Sequence, residues 1–249
     1  MVLKDKVAVV TGGGQGIGKA VAEKLALEGA AVAILEMNAE SGAATATAIE
    51  RTKGKALFFK TDCTKRAEVE SAVQAIVQQW QKVDILVNNI GWSKDSFFIE
   101  EDEAYWDKVL DISLKASILV SHACLKEMAK QGGGKIVNIS SDAGRVGQLR
   151  GVVYSAAKGG IIGLTKALAR EAARYKISVN CVCPGPTDTQ LYKDCIPDKI
   201  KEQFVNLIPF RRIAEPSEVA EAVFFFCSPS ANYITGQVLS ASGGLTMAG

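Results

Sequence analysis

Tyr154 and Lys158 stand four positions apart at the start of a helical pattern, Tyr154–Tyr175, so both side chains share one helix face and can point into one pocket. A phenol ordinarily loses its proton near pH 10, too high for a proton acceptor at neutral pH; lowering that value to about 7 takes roughly 4 kcal/mol. One ammonium about 4 Å away supplies roughly that much at an effective dielectric near 20. The pair therefore suits a general base that takes the proton of an alcohol, or an acid that returns it to a ketone. Upstream, Ser140 and Ser141 close a β-branched run and put hydroxyls at a strand end. Alone, such a Tyr–Lys pair is ordinary helix surface and such a Ser–Ser pair an ordinary strand end. Their joint occurrence points to chemistry.

A second group sits near the start of the chain. Thr11-Gly12-Gly13-Gly14-Gln15-Gly16-Ile17-Gly18 follows a short apolar run and opens a helical one. Glycine there lets the backbone turn sharply and approach a pyrophosphate, to which the helix start offers free N–H groups and a positive dipole end. Glu36 lies 18 positions beyond Gly18, at the end of the next apolar run, where a carboxylate accepts hydrogen bonds from adenine-ribose hydroxyls. An acid at that place repels a 2′-phosphate, and its neighbours Leu35, Met37 and Asn38 bring no positive charge. These residues favour NAD over NADP.

The elements that must position these residues can be read from periodicity. Nearly uniformly apolar runs at Val7–Val10, Ala31–Leu35, Ala56–Lys60, Ile85–Asn88, Lys135–Ser140, Ser178–Val182 and Val238–Ser240 predict strands buried on both faces. Helical patterns at Ile17–Glu28, Ala39–Thr52, Lys65–Trp80, Asp102–Lys130, Tyr154–Tyr175 and Pro216–Cys227 alternate with them. That rhythm predicts a doubly wound α/β fold, a seven-stranded parallel sheet with helices on both faces. With no linker or repeat, residues 1–249 are expected to form a single dinucleotide-binding domain, with a helical substrate flap at about 191–210.

Composition excludes several classes. The 249 residues are 48% apolar and 22% charged with a net charge of +2, so no general field attracts nucleic acid or an anionic membrane. Charges interrupt every long apolar run, so no membrane span is expected. The opening residues, Met1 to Asp5, lack an apolar stretch, and the six cysteines contain no CxxC pair; both suit a cytoplasmic protein without a disulfide framework. His122 is the single histidine and Cys181 and Cys183 have no further ligands nearby in sequence, so no metal is expected.

The loop spacing is T-G-x-x-x-G-x-G rather than the plain GxGxxG. Together with Asn88-Asn89-Ile90-Gly91, Ser141 thirteen residues before Tyr154, Tyr154-x-x-x-Lys158 and Pro184-Gly185, it resembles the short-chain dehydrogenases/reductases over the whole chain. The resemblance implies an NAD-dependent enzyme acting on CH–OH. In it Tyr154 is the general base, Lys158 also binds the nicotinamide ribose, and Ser141 bonds the substrate oxygen. It places the coenzyme against Gly12, Gln15, Gly16, Ile17 and Gly18, with Glu36 at the ribose. Asp62 matches the adenine contact, and Cys63 follows it. Asn89 supports the sheet and touches the ribose beside Gly91. Pro184 and Gly185 form the turn next to the nicotinamide, and Thr187 and Thr189 fall where the carboxamide is held. Ser113 stands where the family usually has the asparagine that supports a proton-carrying water.

Longer stretches, such as Ser141–Gly147 and Ile234–Met247, resemble 2-hydroxycyclohexanecarboxyl-CoA dehydrogenase and related hydroxyacyl-CoA dehydrogenases of anaerobic aromatic degradation. That likeness implies oxidation of a cyclic or aryl-substituted 3-hydroxyacyl-CoA. The alternatives are a 3-oxoacyl-carrier-protein reductase and a catalytically impaired partner subunit. Trp92, after Gly91 at a strand end, is expected at the substrate. Arg145 and Arg150, close in sequence to Tyr154, are expected to orient its acyl end. Lys193, Lys199, Lys201, Arg211 and Arg212 are expected to attract the phosphates of a CoA thioester. The family habit implies a homotetramer, or a heterotetramer with a related chain.

Overall fold

Strand β1 (Val7–Thr11) sends Ala8 and Val10 into one apolar core and Val7 and Val9 into another, because successive side chains leave a strand on opposite faces. Strand β2 (Ala31–Glu36) divides the same way, Val32 and Ile34 to one side and Ala33 and Leu35 to the other. Two cores, one on each face of a single sheet, are why these runs are apolar throughout. A computed structural model describes residues 1–195 and 198–248. Around β1 and β2 the chain runs α1 (Gly16–Leu27), α2 (Ala39–Arg51), β3 (Lys55–Lys60), α3 (Arg66–Trp80), β4 (Ile85–Asn88), α4 (Glu103–Leu110), α5 (Ala116–Gln131), β5 (Gly134–Ile139), α6 (Ala143–Val146), α7 (Val152–Ala172), β6 (Ile177–Pro184), α8 (Gln190–Cys195), α9 (Asp198–Leu207), α10 (Pro216–Cys227) and β7 (Val238–Ala241).

The seven strands are parallel, in the order β3-β2-β1-β4-β5-β6-β7. The expected doubly wound sheet is the one the chain forms. Helices α1, α2 and α10 cover one face; α3, α5 and the end of α7 cover the other. The order reverses between β1 and β4, and the loops leaving their C-terminal ends part there, opening a crevice.

A chain of buried amides and hydroxyls ties the middle of the sheet to its helices. Asn88 Nδ2 at the end of β4 donates to Ser121 Oγ on α5 and to Asn138 Oδ1 on β5, each at 2.8 Å. Asn138 Nδ2 donates in turn to Thr165 Oγ1 on α7, at 2.9 Å. Because the chain runs through β4 and β5 near their C-terminal ends, it fixes the two strands from which the active-site loops depart.

Two local expectations need correction. The helix expected over Asp102–Lys130 is interrupted: α4 ends at Leu110, residues Asp111–Lys115 wind as a π-helical turn, and α5 begins at Ala116. Such a turn inserts one residue into the helical repeat, and here it carries Ser113, which is fully buried. The helix expected from Tyr154 starts two residues earlier and tightens into a 3-10 turn at Ala173–Tyr175. The span 191–210 holds two helices, α8 and α9, and residues 196 and 197 lie outside the described residues. Among the described residues no helix is long and apolar enough to cross a membrane.

Replacing Asn138 by Ala leaves Asn88 and Thr165 each short of a partner in the interior, a loss of about 2–4 kcal/mol in unfolding free energy. Urea denaturation checks this. A loss below about 1 kcal/mol would show that the buried chain is not a structural tie.

Candidate active site

A cavity of about 1200 Å³ opens at the C-terminal ends of the strands. Gly12, Gln15, Gly16 and Ile17 form one wall. Gly12 and Gly16 have φ of +62° and +53°, a backbone region that favours glycine. Gly18 does not line the cavity. A Cβ there would sit 2.1 Å from the Gly12 carbonyl oxygen, so its glycine lets α1 pack onto the loop. No side chain caps the start of α1 and its first turn carries no acid, whereas the Asn38 side chain caps α2. The uncapped start leaves N–H donors and positive dipole for an anion.

Farther along the same wall, Glu36 accepts from Gly14 N–H at 3.2 Å and Asn38 N–H at 3.0 Å, which holds its carboxylate at the cavity's edge. Asp62 is held below the usual carboxylate range: partial burial would raise it, but the hydroxyl and N–H of Thr64 and the Lys65 ammonium outweigh that. Cys63, next to it, is almost fully buried, and burial pushes its thiol up to about 12, so it lines the cavity as a neutral group. Asn89 Nδ2 donates to the carbonyls of Thr11 and Gly12, both at 3.2 Å, binding the β4 loop to the glycine loop. The cradle that a Cβ would fill, the free helix start and the strand-end acid together fit a dinucleotide.

Across the cavity, β5, α6 and α7 bring Ser141, Tyr154 and Lys158 to the lining. Lys158 is 2% exposed and burial pushes its ammonium down to about 8. Its Nζ donates to the carbonyls of Ile139 at 2.9 Å and Ile90 at 3.4 Å, and lies 5.8 Å from the centre of the Tyr154 ring. Gly91 leaves it room, since a Cβ there would be 2.9 Å from Nζ. Ser140 Oγ donates to the Lys158 carbonyl at 2.7 Å, and Gly144 lets α6 press against the same peptide. Ser141 Oγ accepts from Ala143 N–H at 3.1 Å, which orients the hydroxyl. Pro184, the last residue of β6, and Gly185 line the cavity, and Thr187 and Thr189 follow. Thr187 Oγ1 donates to Gly185 O at 2.9 Å. A Cβ on Gly16 would meet Thr189 Cγ2 at 3.1 Å, so the two walls nearly touch there.

The structure does not bring every expected residue to this cavity. Ser113 Oγ accepts from Trp92 N–H and donates to Trp92 O, both at 3.0 Å, and so braces the β4 loop from behind the lining. Trp92 does not line the cavity either; its ring meets Tyr105 edge-on at 5.8 Å and carries Lys108 Nζ at 3.9 Å. Arg145 turns toward the C-terminal segment, bonding Ser240 Oγ at 3.0 Å and the carbonyl of Ala248. Arg150 pairs with Asp95 at 2.7 Å and stacks on Phe97. Neither arginine is in the lining. Of the other cations, Lys193 pairs with Asp188 at 2.8 Å and Arg212 with Glu218 at 2.6 Å, while the side chain of Lys199 lies outside the described residues.

Other lining residues went unread in the sequence. Lys94 follows Trp92 in the loop after β4, where the rule that ligands meet strand C-terminal ends would have flagged it. Lys108 on α4 carries no such signal, because only the packing of α4 brings it there. His122 is exposed on α5.

Residues 12–246 match the family described as enoyl-(acyl carrier protein) reductase. The chain is 37% identical over 244 residues to the 3-oxoacyl-(acyl-carrier-protein) reductase of Chlamydia trachomatis, covering 98% of both chains. It is 37% identical over 245 residues to the NAD-dependent glycerol dehydrogenase of Listeria innocua, covering 98% of this chain and 95% of the relative. The solved structure of levodione reductase superposes with a TM-score of 0.95 at 33% identity, covering 97% of this chain and 98% of that one. None of the three is named for a hydroxyacyl-CoA.

The burial of Lys158 sets a pH dependence. With the folded value near 8 and the unfolded one at its ordinary 10.5, the unfolded chain holds the extra proton between the two. Stability from this group therefore rises with pH across that window. Urea unfolding of the coenzyme-free protein is expected to show the wild type gaining on Lys158→Met from pH 8 to 10. A constant difference would contradict the buried, depressed ammonium.

Proposed function

The chain belongs to the short-chain dehydrogenase/reductase family, oxidoreductases acting on CH–OH groups, and from that premise we propose that it interconverts a ketone and a secondary alcohol on a 3-oxoacyl or 3-hydroxyacyl thioester, with NAD as coenzyme. The observation that carries the reading is that Ser141, Tyr154 and Lys158 line the same cavity as Glu36 and the glycine loop. Gly12, Gln15, Gly16, Ile17, Asp62, Asn89, Pro184, Gly185, Thr187 and Thr189 would hold the coenzyme along that cavity, which when bound accepts or supplies the hydride. Tyr154 holds the proton exchanged with the substrate oxygen, Ser141 bonds that oxygen, and Lys158 keeps positive charge beside the phenol. Ser113 acts at one remove, by bracing the loop that carries Gly91 and Trp92.

The likeness to the 3-oxoacyl-(acyl-carrier-protein) reductase supports a 3-oxoacyl group on an acyl carrier. Glu36 and the glycerol dehydrogenase's NAD dependence support NAD. A second reading, oxidation of a cyclic or aryl-substituted 3-hydroxyacyl-CoA, is favoured by the apolar, exposed Val146, Leu149, Leu191 and Leu207 at the cavity mouth, which suit a bulky hydrocarbon group. A non-catalytic partner subunit is disfavoured by the complete Ser141, Tyr154 and Lys158 set. We take residues 1–249 to work as one coenzyme-binding unit, with 191–210 as the flap over the substrate, in a cytoplasmic homo- or heterotetramer.

Tyr154→Phe is expected to lower kcat by about a hundred- to ten-thousandfold while coenzyme affinity stays within about threefold, since the phenolic proton is the chemistry. Steady-state rates and fluorescence titration with NADH check it, and more than a tenth of wild-type kcat would remove Tyr154 from this role.

NAD is expected to exceed NADP in kcat/KM, and Glu36→Ala to narrow the ratio by about tenfold, a change of roughly 1.4 kcal/mol. Equal use of the two coenzymes by the wild type would overturn the assignment.

A further inference from the structure

The substrate end of the cavity carries two lysines whose charge nothing nearby cancels. Lys94, in the loop after β4, and Lys108, on α4, both line the cavity and are both exposed. The carboxylates lining the same region are already taken: Asp95 pairs with Arg150 at 2.7 Å, and Asp111 with Lys115 at 2.8 Å. Among the described residues neither Lys94 nor Lys108 has a carboxylate partner.

Both ammonium groups are instead held by one aromatic pair. Lys108 Nζ lies 3.9 Å from the centre of the Trp92 ring, and Lys94 Nζ 4.9 Å from that of Tyr105. The two rings meet edge to face at 5.8 Å. Tyr105 also grips the Lys94 backbone, its hydroxyl donating to Lys94 O at 3.1 Å and accepting from Lys94 N–H at 3.4 Å. Ser113 fixes the Trp92 backbone from the π-helical turn. A lysine normally loses much side-chain freedom when it binds an ion. Here the aromatic faces restrict both chains beforehand and attract their charge, while leaving the N–H donors without an ionic partner.

We propose that Lys94 and Lys108 form a clamp for a negatively charged group of the substrate, a carboxylate or a phosphate, with Trp92 and Tyr105 as the positioning residues that hold the clamp open toward the cavity. The clamp takes the orienting part expected of Arg145 and Arg150, whose own partners hold them elsewhere. It rests on the reading of this cavity as the place where a ketone is reduced. An anion fixed at the mouth would set which way a 3-oxoacyl group enters and so which face its carbonyl presents.

The test uses three ketones that differ in charge: ethyl acetoacetate, neutral; acetoacetate, with a carboxylate; and acetoacetyl-CoA, with phosphates. The Lys94→Gln/Lys108→Gln double variant is expected to raise KM for at least one charged ketone about tenfold, more at low salt than at high. KM for ethyl acetoacetate and for NADH is expected to change less than about twofold. A rise with acetoacetate assigns the clamp to a carboxylate, and a rise with acetoacetyl-CoA alone assigns it to the carrier phosphates. Equal changes for charged and neutral ketones, or none, overturn the clamp. Calorimetric binding of the same three compounds to the NAD-loaded protein reads the clamp without turnover. Weaker binding of a charged compound to the double variant supports it, and unchanged or equally altered binding overturns it. If no ketone is reduced by the wild type, the functional reading fails while calorimetry still decides the clamp.

Discussion

Burying the ammonium of Lys158 is the constraint around which the rest of the site is arranged. An unpaired charge removed from water is expensive, and the lysine's lowered proton affinity is the visible trace of that cost. The fold offsets it with carbonyl oxygens rather than a carboxylate, drawing one from the end of β5 and one from the loop after β4. Those acceptors exist in the right place only if β4 and β5 are paired in register, which the buried Ser121–Asn88–Asn138–Thr165 chain enforces from within. Gly91 and Gly144 are consequences of the same constraint, one clearing space at the ammonium and the other letting α6 reach the lysine's peptide. The sheet's middle, two glycines and a serine hydroxyl on the Lys158 carbonyl thus act as one support for a single nitrogen.

The cavity is electrically polarised along its length. Glu36 and Asp62 lie toward the glycine-loop end, and Lys94 and Lys108 at the mouth. A long ligand with a ribose at one end and an anion at the other meets complementary charge at both. Between them the lining is mostly backbone, hydroxyls and apolar side chains, with the Lys158 ammonium as the charge set at the reacting centre.

What the sequence disclosed and what it hid follow from distance along the chain. The glycine loop, Glu36 and the Tyr154–Lys158 pair were legible because each depends on local backbone geometry: a turn, a strand end, a helix face. The inner strands were legible because both of their faces are buried, which leaves a nearly unbroken apolar signature, while the edge strands β3 and β7 are only partly covered. Arg145 and Arg150 were misplaced because nearness to Tyr154 in sequence says nothing about which way a side chain turns. Arg145's partners, Ser240 and Ala248, are 95 and 103 residues away, and Arg150's partner Asp95 comes from a different loop. Trp92 was placed in the right loop, but its ring is engaged by Tyr105 and Lys108 of α4, a tertiary contact with no local signal.

The π-helical turn at Asp111–Lys115 was invisible because it preserves the look of a helix. Its consequence is one of phase. An α-helix advances about 100° per residue, so one extra residue rotates everything upstream against everything downstream by that angle. Here the rotation lets Tyr105 and Val109 on α4 pack with Val153 of α7, while Val120 and Cys124 on α5 face the sheet. The segment is thus two helices geared to different surfaces on one continuous axle. Loss of a single codon within it would keep the helix and the reading frame, yet turn the gear by about a third of a revolution. Chain length at this point therefore sets the packing as much as residue identity does, since an insertion or deletion here turns one helix against the other.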